Sequence, residues 1–193
     1  MAEPVRCPWG TSDPLYVAYH DEEWGRPVRD ERGLYERLCL EGFQSGLAWI
    51  TILRKRESFR SAFAGFDPEK VARFEDRDVE RLLGDAGIVR HRGKIEATIA
   101  NARGVLALRD EGTPLHELVW SFRPDDYGVP RTTADWFAQT PESKELSKRL
   151  KQAGFRFVGP TTAYAAMQAC GIVNDHIPDC WVREAVERAR RAR

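Results

Sequence analysis

Two cysteines and two histidines near opposite ends of the chain have the residue types of a zinc site. Cys7 and His20 lie near the N-terminus, and His176 and Cys180 lie four residues apart near the C-terminus. A separation of four residues puts two side chains on one face of a helical turn. Two thiolates and two imidazoles complete a closed tetrahedral set, so the predicted ion is structural and not hydrolytic. The alternative is that each side chain is buried separately, since Cys7-x12-His20 is not a standard zinc-binding spacing.

A glutamate lies among the aromatic residues that crowd the first third of the chain. Glu41 follows apolar Leu38 and Leu40 and precedes Gly42, so we expect it half buried where a helix stops. The nearby rings are Trp9, Tyr16, Tyr19, Trp24, Phe43 and Trp49. A buried carboxylate is costly unless a cation or hydrogen-bond donors face it, and aromatic faces favour a flat, electron-poor guest. The alternative is that Glu41 pairs with an arginine and the rings fill the core.

The sequence of residues 146–170 predicts two helices joined by a short hairpin. The first helix ends at Gly154, the hairpin is GFRFVG, and the second helix opens with Pro160. Glycines permit a tight turn. Free amides and the positive dipole end of the second helix suit a phosphate oxygen. The basic residues around this stretch are Lys148, Arg149, Lys151 and Arg156. The same hairpin is also compatible with a purely architectural role.

Helices must position these groups, because helix signals recur along the chain and strand alternation is almost absent. Asp67, Thr113 and Thr140 each precede a proline, the pattern of an N-cap with proline in the first helical position. Apolar residues recur at intervals of three and four, first at Leu34 and Leu38 and then in the series Leu47, Ile50, Leu53 and Ile95, Ile99, Ala102, Leu106. We predict an all-α fold of eight to ten short helices, with an irregular N-terminal arm over residues 1–30.

The composition is that of one globular domain. The chain has 193 residues, and its 30 basic and 30 acidic side chains balance, so net charge gives no argument for a polyanionic partner. No apolar run has the length of a membrane span or of a secretion signal, so we expect a cytoplasmic protein without membrane association. Thiols stay reduced in that compartment. Cys39 and Cys170 lie in apolar patterns and are expected in the core.

Four stretches together resemble the 3-methyladenine DNA glycosylase I family of the helix-hairpin-helix DNA glycosylase superfamily. They are RCPWG with DPLYVAYHDEEWG (within 6–25), LCLEGFQSGLAWITIL (38–53), DAGIVRHRGKI (85–95) and GFRFVGPTTAYAAMQACGIVNDHIPDC (154–180). The resemblance implies a single DNA glycosylase domain over residues 1–193, all-helical and two-lobed, with a helix-hairpin-helix motif at 146–170. It also implies a zinc clamp that joins the N- and C-termini. The four matching stretches do not include residues 110–140 or the basic helical tail at 181–193.

The resemblance implies a monofunctional, base-flipping repair enzyme. It would hydrolyse the N-glycosidic bond of 3-methyladenine in alkylated double-stranded DNA, releasing free 3-methyladenine and leaving an abasic site. The implied base pocket is Trp9, Tyr19, Glu41 and Trp49, with Glu41 catalytic. One structural Zn²⁺ per chain would be held by Cys7, His20, His176 and Cys180. The implied DNA contacts are Gly46 and Leu47, which probe the gap in the duplex, and the hairpin residues Gly154, Phe155, Val158, Gly159, Thr161 and Thr162. We expect a monomer.

The chemistry of the substrate agrees with that pocket. Methylation at N3 makes adenine cationic and weakens its bond to the sugar, so strong acid catalysis is unnecessary. A negative Glu41 can accept the exocyclic amino group while Trp49 stacks on the cationic ring. The hairpin has Thr161 and no lysine, so a covalent lyase step is not expected. Asp175, beside His176, is open to two roles, the superfamily's acid or a partner of the ligand histidine.

Two rival classes stay open at this point. A noncatalytic DNA-binding module would use the hairpin and the zinc clamp and leave Glu41 structural. A zinc hydrolase would require an open coordination position on the metal. Release of methylated bases separates the first rival from the glycosylase, and the coordination of the metal separates the second.

Overall fold

The computed structural model describes residues 3–125 and 128–192, and within these ranges the chain forms helices and no strands. Its ten α-helices are α1 Pro14–Glu22, α2 Glu31–Gln44, α3 Trp49–Ala62, α4 Pro68–Val71, α5 Asp76–Gly84, α6 Arg92–Asp110, α7 Leu115–Ser121, α8 Pro141–Gln152, α9 Pro160–Ala169 and α10 Arg183–Arg191. Three 3₁₀ turns span Pro8–Thr11, Ala64–Phe66 and Thr133–Asp135. The all-α prediction is confirmed. None of the described helices combines the length and apolar content that crossing a bilayer requires.

Side-chain caps set two of the three helix starts that were predicted from a cap followed by a proline. Asp67 and Thr140 accept hydrogen bonds from first-turn amides of α4 and α8, as predicted. The third predicted cap is displaced, because the Thr113 amide donates to the Leu108 carbonyl at 2.9 Å and so closes the end of α6. The following helix therefore begins at Leu115, one residue later than a Thr113 cap would place it.

The prediction of an irregular arm over residues 1–30 is wrong. Residues 1–2 lie outside the described part of the chain, and the remainder contains the 3₁₀ turn at Pro8–Thr11 and helix α1. Asp13 accepts a hydrogen bond from the Leu15 amide, and Pro14 occupies the first helical position. This is the same N-cap and proline signature that identifies other starts, so the sequence did carry the signal.

Helix α2 continues past its predicted stop at Gly42. It runs to Gln44, and the chain turns away at Gly46, whose φ of +81° is a conformation that glycine adopts without strain. A glycine inside a helix weakens it without ending it. Glu41 therefore lies inside the last turn of α2, and it is more deeply buried than the half-buried position predicted.

The buried apolar side chains form two clusters. The larger one is built mainly by α2, α3, α6, α7 and α9, and it contains Cys39 and Cys170 as predicted. The smaller one brings the two ends of the chain together and consists of Cys7, Tyr19, Trp24, Leu53, Ala169, Cys180, Val182 and Val186. Trp49 packs against both clusters. Trp49 thus connects the main core to the joined termini.

The basic tail docks against the body of the protein. Helix α10 lies within the predicted helical tail, whose last residue is outside the described part of the chain. Arg29 donates to the Ala192 carbonyl at 2.6 Å, and Arg123 donates to the Arg190 carbonyl at 3.2 Å. Two cations therefore lie at the C-terminal end of α10, where the helix dipole favours positive charge. Glu187 pairs with Arg190, so part of the tail's charge is neutralised within the helix.

Candidate active site

A cleft of about 430 Å³ is lined by residues of the first 3₁₀ turn, α1, α2, α3 and α9. Six aromatic side chains of the described chain line it, namely Trp9, Tyr16, Tyr19, Trp24, Trp49 and Trp136. The polar residues of its wall are Ser12, Glu41, Gln44 and Gln168. A cleft with apolar walls and few polar groups suits a small, flat ligand. The fold therefore brings the four residues predicted for a base pocket into one cleft.

Glu41 is the buried acid of this cleft. It is 6% exposed and lies on the face of α2 that Leu34 and Leu38 anchor in the core. Among the described residues, no cation forms an ion pair with Glu41. Arg37, one helical turn earlier, pairs instead with Glu23 at 2.6 Å. Burial raises the pKa of Glu41 to about 7, and the nearby Arg37 charge opposes that rise.

The aromatic rings of the cleft pack against one another in edge-on and tilted arrangements. Trp9 meets Trp24 edge-on with ring centres 5.0 Å apart, and Tyr19 lies against Trp49 at 5.4 Å with a 44° tilt. Trp9 and Trp49 also carry buried indole N–H groups that have no hydrogen-bond partner among the described residues. Leaving a buried donor unpaired costs free energy. These two donors indicate a ligand that brings acceptor atoms into the cleft.

Several cleft residues lie outside the predicted site. The Tyr16 hydroxyl accepts a hydrogen bond from the Ile50 amide at 3.0 Å, which caps the start of α3 beside the cleft. Trp136 comes from residues 110–140, and its indole donates to the Asp175 carbonyl at 3.0 Å. No motif in that segment distinguishes Trp136, because the segment also contains Trp120. No signal marks Gln168, because its place in the wall depends on the packing of α9.

Asp175, whose role the sequence left open, lies behind the wall of the cleft. It is buried, and its carboxylate accepts hydrogen bonds from the Tyr164 hydroxyl at 2.8 Å and the Gln168 amide at 2.5 Å. These bonds orient Gln168 in the cleft wall. Asp175 itself is not among the residues that line the cleft.

A second cavity, of about 440 Å³, adjoins the cleft. The two share the residues Glu41, Gln44, Ala48 and Ala165. The other residues around the second cavity are Ser45, Gly46, Leu47, Thr161 and Thr162. The loop after α2 and the first turn of α9 therefore border the cavity that adjoins the aromatic cleft.

A buried lysine of α6 holds the loop that carries Gly46 and Leu47. The Lys94 ammonium donates to the carbonyls of Phe43 and Ser45 at 2.8 and 2.6 Å. Carbonyls at the C-terminal end of a helix have no helical partner, so this cation satisfies two of them and complements the helix dipole. Leu47 is 41% exposed and lies before the start of α3. Its spacing from Ile50 and Leu53 had predicted that it belongs to the apolar face of that helix. The loop thus has a fixed base and an exposed apolar tip.

The turn between α8 and α9 is held by a buried asparagine of α6. Asn101 accepts a hydrogen bond from the Arg156 amide at 2.7 Å and donates to the Arg156 carbonyl at 3.2 Å. The positive φ angles of the turn occur at Gly154 (+89°) and Phe157 (+56°). Gly159 has a φ of −60°, which residues other than glycine also adopt, so the tight turn does not need glycine at this position.

The sequence-predicted hairpin residues fall into two groups. Phe155 and Val158 are buried in the larger core cluster, so their side chains anchor the turn from inside. Thr161 is exposed and Thr162 half-buried at the start of α9, where Gly159 supplies no side-chain cap. First-turn amides without such a cap are available to an anion.

Cys7, His20, His176 and Cys180 converge where the two ends of the chain meet, and all four are buried. The Cys180 Sγ lies 3.4 Å from His20 Nε2 and from His176 Nδ1, and the Cys7 Sγ lies 3.6 Å from His176 Nδ1. Ligand atoms around tetrahedral zinc are roughly 3.5 Å apart, given bonds of about 2.0 to 2.3 Å. A hydrogen bond from Cys7, with others from the histidines, lowers the pKa of the Cys180 thiol and favours the thiolate that metals bind. The donor set fits one zinc ion.

The outer nitrogens of both histidines are engaged in a way that also fits a metal site. His20 Nδ1 lies 2.8 Å from the Asp21 carboxylate, and His176 Nε2 lies 3.1 Å from the Trp24 carbonyl. Such contacts fix the tautomer that turns a lone pair toward the metal. Asp21 is a further residue outside the predicted site, and an acid next to a candidate ligand histidine was the available signal.

Comparison with known proteins agrees with the fold and the cleft. Residues 9–184 match the model of a family described as methyladenine glycosylase. The chain is 52% identical over 177 residues to DNA-3-methyladenine glycosylase 1 of Escherichia coli (strain K12), covering 91% of this chain and 95% of that protein. It matches a crystal structure of 3-methyladenine DNA glycosylase I with a TM-score of 0.89 at 50% identity, covering 92% and 98% of the two chains.

A second solved structure gives the same result. It describes 3-methyladenine recognition by 3-methyladenine DNA glycosylase I from Staphylococcus aureus, with a TM-score of 0.88, 37% identity and coverage of 92% and 96%. These matches place the fold among DNA glycosylases that act on methylated adenine. The chain belongs to the methyladenine glycosylase family. The resemblance inferred from its four sequence stretches is confirmed.

Proposed function

We propose that this protein is a base-excision repair enzyme that hydrolyses the N-glycosidic bond of 3-methyladenine in alkylated double-stranded DNA. The observation that carries the proposal is Glu41, a buried carboxylate without an ion pair among the described residues and surrounded by aromatic rings. The cleft that contains it adjoins a cavity beside Gly46 and Leu47. Membership of the methyladenine glycosylase family supports the same activity.

The pocket recognises the flipped base through charge and shape. N3 methylation gives the base a positive charge, which the Glu41 carboxylate balances while accepting the exocyclic amino group. Trp49 stacks on the ring, Tyr19 adds a hydroxyl contact, and the unpaired indole N–H group of Trp9 can donate to a ring nitrogen. Neutral adenine forfeits the cation–π attraction, worth about 2 kcal/mol when desolvated. The pocket therefore favours the methylated base.

The substrate contributes much of the reactivity. A base inside a duplex is out of reach and must be extruded, and a damaged, poorly paired base is extruded at lower cost. Its positive charge already weakens the bond to the sugar, so Glu41 acts as the catalytic residue by holding the departing base and not by protonating it. No lysine lies between Gly154 and Thr162, so the reaction forms no Schiff base there. The products are free 3-methyladenine and an abasic site.

The same face of the protein would hold the DNA. Gly46 and the exposed Leu47 enter the space that the flipped nucleotide leaves, from a loop whose base Lys94 holds. The backbone between Gly154 and Gly159, with the first-turn amides of α9 at Thr161 and Thr162, binds phosphate in a helix-hairpin-helix arrangement. Contacts of this kind position the duplex without reading its sequence.

Cys7, His20, His176 and Cys180 would hold one structural zinc ion. The ion would supply no catalytic chemistry, because the four protein ligands complete its tetrahedral coordination. Its role would be to tie the N-terminal residues that carry Trp9 and Tyr19 to the C-terminal segment. The distances within the set, and the hydrogen bonds to Asp21 and the Trp24 carbonyl, support this assignment.

The remaining proposals concern overall organisation. The two clusters of buried side chains, which meet at Trp49, support a two-lobed glycosylase domain over residues 1–193 with the base pocket between the lobes. We propose that the protein acts as a monomer, since all the site residues come from one chain, and that it acts in the cytoplasm, as the sequence predicts.

The direct test is incubation with methylated duplex DNA followed by mass spectrometry of the released bases. We expect release of 3-methyladenine and none of adenine from unmethylated duplex. No release would contradict the glycosylase and favour the noncatalytic DNA-binding module. A metal-bound water, detected by spectroscopy after cobalt substitution, would favour the zinc hydrolase instead.

Removing Lys148 and Arg149 is expected to reduce the salt dependence of DNA binding. Both side chains are exposed on α8, next to the hairpin, and each lost phosphate contact lowers the slope of log K against log salt by about 0.9. The K148A/R149A variant should therefore show a slope smaller by up to about 2 in binding titrations. The matched control is K70A, which removes an exposed lysine of α4. Equal slopes in the wild type and the double variant would place the phosphate contacts elsewhere.

Replacing Asn101 by alanine is expected to loosen the hairpin. The substitution removes two hydrogen bonds to the half-buried backbone of Arg156, each of which contributes about 1 kcal/mol to the free energy of unfolding. Denaturant unfolding and binding to duplex DNA measure the two effects. The control is T98A, which removes a buried hydroxyl of the same helix that bonds within it. If both variants lost DNA affinity equally, the hairpin would not be the phosphate-binding element.

A further inference from the structure

A buried arginine lies directly behind the base pocket. Arg37 is 9% exposed, one helical turn before Glu41 on α2, so the two side chains lie on neighbouring positions of the same helix face. Its guanidinium carbon lies 5.6 Å from the centre of the Tyr19 ring. One of its terminal nitrogens, Nη1, is buried and has no hydrogen-bond partner among the described residues. Burying a guanidinium group costs free energy, so its position next to two pocket residues indicates a functional role.

The charged groups that pair with one another around Arg37 leave a net positive charge. Arg37 donates to Glu23 at 2.6 Å, and Arg56 of α3 donates to both oxygens of the same carboxylate at 2.7 and 2.8 Å. Two guanidinium groups share one carboxylate, so this group of three has a net charge of +1. The carboxylate of Glu41, which has no ion pair among the described residues, lies in the field of this positive group, and that field favours its charged form.

We propose that Arg37 is a positioning residue of the base pocket, which keeps Glu41 anionic and supports the Tyr19 ring so that the pocket selects a cationic base. This inference rests on the proposed function for its biological meaning. A carboxylate that took a proton would lose its attraction for the methylated base and would retain its contact with neutral adenine. Direct pairing of Arg37 with Glu41 would cancel the charge that the ligand needs. Because Arg37 donates a hydrogen bond to the shared Glu23, it does not pair with Glu41.

The other titratable groups around Glu41 do not replace Arg37. Tyr19 of α1 and Cys170 after α9 face Glu41, and burial raises the pKa of both, so each is neutral at physiological pH. Lys94 of α6 is bound to backbone carbonyls at the end of α2. Arg37 is the described charge whose field lowers the pKa of Glu41 against the effect of burial.

The test compares two substitutions that should act in opposite directions. R37M removes the positive charge, so the acid limb of kcat/KM for 3-methyladenine release should move to higher pH by about one unit. E23Q leaves two unbalanced guanidinium groups, so the same limb should move to lower pH. R37K keeps the charge and should restore the wild-type limb in part. The control is R60M, which removes a half-buried arginine of α3 that pairs with Glu36 and Glu57, and it should leave the limb in place.

A second readout needs no substrate. The carboxyl carbon of Glu41 can be followed by NMR against pH, with E41Q used to assign its signal, and its midpoint should move up in R37M and down in E23Q. Unmoved midpoints in both variants would overturn the inference, and if R37M does not fold, E23Q decides alone. Absence of base release by the wild type would refute the proposed function, whereas the NMR midpoints would still test Arg37.

Discussion

Glu41→Gln is expected to lower 3-methyladenine release about 10- to 100-fold at pH 8 while leaving the fold and the zinc content intact. The amide keeps the shape of the side chain and loses its negative charge. A hydrogen bond to a charged group contributes about 1.5 to 3 kcal/mol, and each 1.4 kcal/mol is tenfold in affinity or rate. Single-turnover release from methylated duplex DNA measures the effect. Full activity in E41Q would remove the central role of the carboxylate.

The same substitution is expected to stabilise the protein at alkaline pH. Glu41 has a folded-state pKa of about 7 against an ordinary value of 4.5, so the native state binds this proton more tightly than the unfolded state does. Stability therefore falls as pH rises through the window from 4.5 to 7, by roughly 3 kcal/mol in total. E41Q should be more stable than the wild type at pH 8, and the difference should vanish near pH 4.5.

Denaturant unfolding across this pH range checks the stability prediction. The matched control is E36Q, on the same helix, whose carboxylate pairs with Arg60 and lies outside the cleft. It should leave base release unchanged and should not stabilise the protein at pH 8. Parallel stability curves for the wild type and E41Q would show that burial does not perturb Glu41.

Cys180→Ser is expected to have the largest effect on stability. If the four side chains hold zinc as proposed, loss of one thiolate ligand should release the ion and leave the ends of the chain free in the unfolded state. By analogy with a crosslink that closes a loop of this length, the loss would be about 4 to 5 kcal/mol in a chain-entropy model. Thermal unfolding and zinc stoichiometry by atomic absorption measure the two quantities. Activity should fall at high temperature before it falls at low temperature.

The matched control for this prediction is C39S. Cys39 is also buried, and it lies in the larger core cluster away from the four candidate ligands. Its substitution should leave the zinc content unchanged. A full zinc complement in C180S would refute the clamp, and loss of zinc in both variants would indicate a general effect of misfolding.

Local signals in the sequence determined the helical class and several helix starts. N-caps such as Thr140 and the three- and four-residue apolar spacing act over one or two turns, so they are readable without the fold. The same signature at Asp13 and Pro14 predicts α1 once it is applied there. Helix ends were less determined, because Gly42 is tolerated within α2 and the turn occurs at Gly46.

The resemblance to a family identified the residues of the candidate site, since its motifs cover most of the chain. Residue types and spacing alone left each of them open between two roles. Glu41 could pair with an arginine, and the four candidate zinc ligands could be buried separately. Choosing between such roles requires knowing which side chains meet.

Only the tertiary structure decided those questions, because the deciding contacts join residues far apart in the chain. Arg37 forms an ion pair with Glu23, so Glu41 has no ion pair among the described residues. Trp136 lines the cleft although it comes from a segment without motifs. Cys7 lies next to Cys180 although the two are far apart in the chain. The free energy of a buried charge depends on all the groups around it. The sequence by itself therefore determined the helices and the chemical groups, and the packing of the helices determined which of those groups face an open cleft.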